Sequence, residues 1–464
     1  FDVGSVALFV HGIQWIGYTL HFPDWLTIFL AQGLGGGINT VLPLVPQIGM
    51  MYLFLSFLED SGYMARAAFV MDRLMQALGL PGKSFVPLIV GFGCNVPSVM
   101  GARTLDAPRE RLMTIMMAPF MSCGARLAIF AVFAAAFFGQ NGALAVFSLY
   151  MLGIVMAVLT GLMLKYTIMR GEATPFVMEL PVYHVPHVKS LIIQTWQRLK
   201  GFVLRAGKVI IIVSIFLSAF NSFSLSGKIV DNINDSALAS VSRVITPVFK
   251  PIGVHEDNWQ ATVGLFTGAM AKEVVVGTLN TLYTAENIQD EEFNPAEFNL
   301  GEELFSAVDE TWQSLKDTFS LSVLMNPIEA SKGDGEMGTG AMGVMDQKFG
   351  SAAAAYSYLI FVLLYVPCIS VMGAIARESS RGWMGFSILW GLNIAYSLAT
   401  LFYQVASYSQ HPTYSLVCIL AVILFNIVVI GLLRRARSRV DVELLATRKS
   451  VSSCCAASTT GDCH

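Results

Sequence analysis

Charged residues are scarce in this 464-residue sequence, making up only 13% of the chain, about half the share found in a soluble domain. Because 55% of the residues are hydrophobic, we predict a polytopic protein embedded in a lipid bilayer. The net charge of −3 gives no reason to expect a nucleic-acid partner. His-Glu-x-x-His and Gly-x-Ser-x-Gly are also absent, which argues against a membrane-embedded enzyme.

A disulfide framework is missing too, since the cysteines follow no regular spacing. Cys94, Cys123, Cys368 and Cys418 have apolar surroundings, and Cys454, Cys455 and Cys463 lie near the end. Cysteine is a common metal ligand, but these last three do not have the regular spacing of a known metal-binding motif. The tail either contacts a metal transiently or is simply solvated.

The apolar runs predict an all-α membrane protein with about seven spans. Residues 1–39 are too broken for a span and are expected at the membrane interface. Crossings are predicted at 40–58, 143–164, 209–223, 355–376, 384–403 and 414–433, with one more in the second half of 85–138.

The segment 85–138 contains two interruptions of a kind that ordinary spans avoid. Gly-Phe-Gly-Cys-Asn-Val-Pro occupies 91–97, and Pro119 is followed by Ser-Cys-Gly-Ala-Arg at 122–126. In hydrocarbon, such breaks are tolerated only where protein or a water-filled cavity covers the released backbone groups. Secondary transporters build their midplane sites from broken helices, so this segment predicts half of an ion pathway.

The basic residues predict the orientation of the chain. The arginines of 434–439 and the basic loop 165–208 should be cytoplasmic, and the acidic segment 286–346 should lie outside. Both ends of 262–283 then face the same side, so we predict a re-entrant segment from the outside. Residues 85–103 would be re-entrant from the inside, as expected of an inverted repeat.

A duplication is visible in the sequence, but its register is open. Ser-Val-Met-Gly-Ala occurs at 98–102 and again at 370–374. A second alignment matches Pro119-x-x-Ser122 to Pro367-x-x-Ser370. A third explanation is that small residues recur on helix-packing faces.

Thiols near helix breakers are candidate metal ligands. Pro97 should leave nearby carbonyls free, and Cys94 with Asn95 beside such carbonyls would suit a borderline-soft divalent cation. Cys368 follows Pro367 in the other half, and Cys123 adds a third thiol. The alternative is that these cysteines are small packing residues.

Charged residues in apolar segments are candidates for gating or charge pairing. Lys272 and Glu273 lie in the middle of an apolar segment, and each needs a partner from elsewhere. Arg126 and Glu378 are further candidates for the same roles. The alternative role of the adjacent Lys-Glu pair is a structural salt bridge to another span, for example to Arg126 or Glu378.

A second charged pair, Glu59 and Asp60, stands at a predicted span end. It predicts either a cation vestibule or an ordinary polar cap.

Several of these segments together resemble the membrane region of FeoB, a family of bacterial ferrous iron transporters. They are Gly-Phe-Gly-Cys-Asn-Val-Pro at 91–97, Glu-Asp-Ser-Gly-Tyr-Met-Ala-Arg at 59–66, Ala-Lys-Glu at 271–273 and Val-Pro-Cys at 366–368. The family pattern begins with a cytosolic G domain that binds and hydrolyses GTP with Mg²⁺. No Gly-x-x-x-x-Gly-Lys-Ser/Thr occurs here, so we expect the membrane part of a longer protein and no enzyme activity in this chain.

The resemblance implies Fe²⁺ uptake across the bacterial inner membrane, with the thiols of two Gate regions as ligands. Implied partners are the protein's own G domain, FeoA-like and FeoC-like small cytosolic proteins and a homo-oligomer. Transport of another divalent metal or small solute is the alternative on the same fold. The implied divisions begin with an interfacial N-terminal segment at 1–39, Gate 1 at 40–165 and a cytoplasmic loop at 166–204. Gate 2 follows at 205–376 and includes an acidic extracytoplasmic loop at 285–350. The chain ends with C-terminal spans at 377–433 and a cytosolic tail at 434–464.

Overall fold

The computed structural model describes residues 6–20, 29–42, 44–169, 186–208, 236–270, 274–284, 339–409 and 411–456, plus the single residues 23, 27, 183, 211, 212, 215, 272 and 309. All regular secondary structure in these ranges is helical. The longer helices that do not belong to the hairpins or broken spans defined below are Leu44–Asp60, Tyr63–Leu78, Gly142–Thr167, Val188–Phe202, Ala237–Ile245, Thr339–Phe349, Arg381–Ala406 and Pro412–Ala456.

Helices that are long and apolar enough to cross a membrane confirm the polytopic all-α prediction. Within the described ranges there are five: Pro108–Phe138, Gly142–Thr167, Ala352–Glu378, Arg381–Ala406 and Pro412–Arg435. The span predicted at 40–58 is the 17-residue helix Leu44–Asp60, about 26 Å long at 1.5 Å per residue. The span predicted at 209–223 lies mostly outside the described residues.

The last helix is longer than the predicted span. The apolar stretch Pro412–Arg435 agrees with the span predicted at 414–433, and the helix continues through the basic cluster to Ala456. This segment contains no proline or glycine between Leu432 and Ala456, so nothing in the local sequence forces the helix to end at the predicted boundary.

Two tight helical hairpins occupy the segments predicted to be re-entrant. Hairpin 1 consists of Phe85–Gly93 and Asn95–Gly101, and the chain reverses at Cys94. The Ser98 hydroxyl donates to the Pro87 carbonyl at 2.6 Å, a contact between residues that would lie about 16 Å apart on a continuous helix. The bare Cα of Gly91 gives Ser98 room to approach.

Hairpin 2 consists of Trp259–Met270 and Val274–Thr284. The Tyr283 hydroxyl donates to Asn258 Oδ1 at 2.7 Å, which joins the open ends of the two arms. Nearer the turn, Gly264 faces Leu279 and Gly268 faces Val275. The residue at the turn is Lys272, so the charge predicted in mid-segment lies at a hairpin tip.

Each hairpin is followed by a span whose helix is interrupted. Broken span 1, Pro108–Phe138, has extended backbone at Met121 and Cys123 before the helix Gly124–Phe133 begins. Broken span 2, Ala352–Glu378, is interrupted between Leu364 and the helix Ile369–Glu378. In both, a proline close to the break prevents a continuous ladder of backbone hydrogen bonds.

The two halves of the chain pack across each other in a reciprocal way. The arm Asn95–Gly101 of hairpin 1 packs against Ile369–Glu378 of broken span 2. The arm Val274–Thr284 of hairpin 2 packs against Gly124–Phe133 of broken span 1. A shared core joins the halves, in which the ring of Phe133 stacks on Tyr358 at 5.4 Å between centroids.

Candidate functional site

Three thiols occupy equivalent local positions, each on the residue just before a short helix. Cys94, Cys123 and Cys368 all have extended backbone and precede helices that begin at Asn95, Gly124 and Ile369. The first turn of a helix has backbone N–H groups without intrahelical partners and a partial positive charge. Each thiol therefore lies beside backbone N–H groups that have no acceptor within their own helix.

The tip of hairpin 1 contacts the break of broken span 1. With its amide oriented toward the acceptors, Asn95 Nδ2 donates to the carbonyls of Gly91 at 2.9 Å and Ala118 at 3.2 Å. A Cβ atom on Gly124 would lie 4.0 Å from the Gly93 carbonyl oxygen. The Asn95 amide thus folds back onto the Gly91 carbonyl. That other carbonyls near Pro97 are free stays a prediction.

Arg126 satisfies further carbonyls at the same break. Its side chain is fully buried, and its guanidinium donates to the Pro119 carbonyl at 3.1 Å and to the Met121 carbonyl at 2.9 Å. The extended backbone at Met121 would otherwise leave these oxygens without donors. The hydrogen-bond partners of this intramembrane cation are therefore backbone dipoles of its own broken helix.

The tip of hairpin 2 contacts the break of broken span 2. The side chain of Lys272 is buried, and its Nζ lies 4.6 Å from the centroid of the Tyr365 ring. Tyr365 begins the break that ends at Cys368. Glu273, the other charge predicted here, lies outside the described residues.

The two Ser-Val-Met-Gly-Ala segments lie in the packed helices Asn95–Gly101 and Ile369–Glu378. Glu378 at the end of one helix binds Arg103 just beyond the other, with 2.6 Å from Arg103 Nε to Glu378 Oε2. Since the helices pack side by side and their C-terminal ends are joined, Cys94 and Cys368 both lie at the opposite end of the pair. Met100 and Met372 line one cavity of about 600 Å³ beside them.

Glu378 also binds Arg111, which donates to its carbonyl at 2.6 Å and to its carboxylate at 3.2 Å. The buried carboxylate is thus paired with two arginines of the first half, and the suggested salt bridge to Lys272 is not the one that forms. The hydrogen bond to Glu378 raises the pKa of Arg103 above its usual value. Sequence reasoning missed Arg111, for which no local pattern gave a signal.

A second charged pair borders the neighbouring cavity of about 610 Å³. Arg198 donates to Glu59 at 2.9 Å, and both side chains are partly exposed. Lys83 and Arg103 line the same cavity. Asp60, predicted with Glu59, is the last residue of the helix Leu44–Asp60.

The structure does not bring the three predicted thiols into one ligand shell. Among the described residues, no three His, Cys, Asp or Glu side chains are grouped so that they could hold a metal ion. Cys94, Cys123, Cys368 and Cys418 form no disulfide. In the tail, Cys454 and Cys455 fall in the last helix without described side chains, and Cys463 lies outside the described residues.

Comparisons with known proteins match the whole chain. A family model described as "Nucleoside recognition" (Gate) matches residues 41–137 and 203–381, and one described as "Ferrous iron transport protein B C terminus" matches 146–198. The chain is 99% identical to the Fe(2+) transporter FeoB of Shigella flexneri and 94% identical to that of Salmonella typhimurium, each over 464 residues.

A more distant relative, the Fe(2+) transporter FeoB of Legionella pneumophila, is 48% identical over 445 residues, which are 94% of this chain and 58% of the relative. The chain covers 60% of the length of its Shigella and Salmonella relatives. No solved structure is significantly similar.

Proposed function

We propose that this chain, which belongs to the FeoB family, forms the membrane pathway through which Fe²⁺ enters the bacterial cytoplasm. The observation that carries the proposal is the meeting of hairpin tips and helix breaks, with a thiol before each of three short helices. Sulfur and nitrogen donors suit Fe²⁺ better than they suit Mg²⁺ or Ca²⁺.

The thiols act in succession in this proposal. Because no group of three candidate ligands comes together among the described residues, a single three-thiol site is not what the geometry supports. Cys94 and Cys123 belong to the contact between hairpin 1 and broken span 1, and Cys368 belongs to broken span 2. Fe²⁺ would pass from one break to the next, held weakly enough at each to leave it.

The orientation follows the predicted charge distribution. Hairpin 1 enters from the cytoplasm and hairpin 2 from outside, which gives an inverted repeat. The ends joined by Arg103 and Glu378 then face the cytoplasm, as does the C-terminus. We further propose that GTP and Mg²⁺ act in a preceding G domain, that FeoA-like and FeoC-like proteins and a second copy bind the protein, and that this chain performs no catalysis.

Replacing both Cys94 and Cys368 by serine tests the route. We expect Fe²⁺ uptake in cells to fall about 10–100-fold, the loss that weakened metal-ligand shells typically produce, because serine offers a harder and weaker donor. Uptake is measured with ⁵⁵Fe²⁺ at matched protein levels. Cys418→Ser is the control, since that thiol lies on the last helix away from the breaks, and normal uptake by the double variant would remove the thiols from the mechanism.

An organic solute is the second candidate, because the two cavities of about 600 and 610 Å³ are in the size range of small-molecule pockets. Met100, Met372 and Phe202 give the first cavity apolar walls, which a nucleoside-sized molecule could use. Uptake of labelled Fe²⁺ in competition with Mn²⁺, Zn²⁺ and a nucleoside separates the candidates. Inhibition by the nucleoside alone would favour the organic solute.

A further inference from the structure

Four backbone oxygens around the breaks of the first half accept hydrogen bonds from side chains. The Asn95 amide donates hydrogen bonds to the carbonyls of Gly91 and Ala118. The Arg126 guanidinium donates hydrogen bonds to the carbonyls of Pro119 and Met121. A helix break at membrane depth that keeps its carbonyls accessible is a typical site for a hard cation, because such oxygens replace the hydration shell of the ion.

Arg126 occupies these oxygens away from water. Its side chain is fully buried, so water does not compete for its hydrogen bonds. A cation approaching the Pro119 and Met121 carbonyls would have to displace three hydrogen bonds and face a like charge at close range. Sulfur is also present at this contact, because Cys123 ends the break and Cys94 lies at the turn of hairpin 1.

We infer that Arg126 and Asn95 are specificity-determining residues, which exclude hard cations by occupying the oxygen ligands that such ions require. Mg²⁺ and Ca²⁺ need oxygen shells of six or more ligands, and the occupied carbonyls cannot contribute to one. A borderline-soft ion can use the thiols instead. This selectivity rests on the proposed iron pathway, but the occupied carbonyls can be tested without iron.

The test is Ca²⁺ binding to the purified full chain in detergent, measured by equilibrium dialysis with ⁴⁵Ca²⁺ in the absence of iron. Arg126→Met removes the charge and the donors while keeping an unbranched apolar side chain. We expect it to bind Ca²⁺ at least tenfold more tightly than the unmodified chain, and Arg126→Lys, which retains a cation and a donor, to remain close to the unmodified chain. Asn95→Ala, which removes a side-chain donor from the Gly91 carbonyl and one of two donors from the Ala118 carbonyl, should shift Ca²⁺ affinity in the same direction.

Two results would overturn the inference. One is a folded Arg126→Met chain, with the helical circular dichroism of the unmodified protein, that binds Ca²⁺ no better. The other, decisive if Arg126→Met does not fold, is unchanged Ca²⁺ binding by Asn95→Ala. Normal iron uptake by the Cys94 and Cys368 double variant would refute the thiol route alone, so the two failures are distinguishable.

Discussion

Replacing Glu378 by glutamine should destabilise the chain by about 2 kcal/mol. Removing one partner of a fully buried ion pair costs ~3–5 kcal/mol, but Arg103 and Arg111 are 57% and 34% exposed, so water offsets part of their loss. The glutamine can still accept a hydrogen bond, yet it leaves two arginines without their shared negative charge. Thermal unfolding of the purified chain in detergent, followed by tryptophan fluorescence, measures the effect.

The matched control for this change is Glu59→Gln. It removes the same charge from the pair with Arg198, in which the side chains are 50% and 37% exposed. Exposed pairs contribute at most about 1 kcal/mol, so the melting temperature should hardly move. If the two variants lower the melting temperature equally, the buried ion pairs of Glu378 stabilise the chain no more than the exposed pair of Glu59 does.

The ion pairs of Glu378 also connect the two halves of the molecule. Arg103 follows hairpin 1 and Arg111 begins broken span 1, whereas Glu378 ends broken span 2. Any rigid-body movement of one half against the other has to stretch or break this cluster. The prediction therefore concerns the conformational equilibrium as well as the free energy of unfolding.

The sequence predicted where the helices break, because the causes are local. Gly91, Gly93 and Pro97 bracket the turn of hairpin 1, and the requirement that backbone groups be satisfied in hydrocarbon made a simple span implausible. Likewise, the count of loop charges required 262–283 to return to its own side. The chain forms a helical hairpin at each segment, and the side of the membrane from which each hairpin enters stays a prediction.

What the sequence could not predict are the partners of the polar groups. Glu378 binds an arginine 275 residues away, and composition alone cannot choose among the many basic residues. The Asn95 amide and the Arg126 guanidinium belong to the same segments as the carbonyls they satisfy, yet whether they point toward those carbonyls depends on side-chain rotamers. The side-chain donors of the Gly91, Pro119 and Met121 carbonyls could not be predicted for this reason.

Replacing Gly268 by alanine should disturb the contact between hairpin 2 and broken span 2. A Cβ atom there would lie 2.5 Å from the Tyr365 hydroxyl and 2.6 Å from Val275 Cγ2, so Tyr365 has to move, and with it the ring that faces Lys272. Overpacking of a tight interior costs about 1–3 kcal/mol. We expect a lower melting temperature and, because the second break is displaced, reduced ⁵⁵Fe²⁺ uptake at matched protein levels.

Gly277→Ala in the other arm of hairpin 2 should act in the opposite direction. Apart from its own helix backbone, no heavy atom of the described residues lies within 4 Å of a Cβ built at Gly277, and alanine stabilises a helix interior by about 0.5–1 kcal/mol relative to glycine. The melting temperature should therefore rise slightly, with uptake unchanged. The two substitutions should therefore shift the melting temperature in opposite directions. If they shift it in the same direction, the close approach of Gly268 to Tyr365 does not determine how hairpin 2 packs against broken span 2.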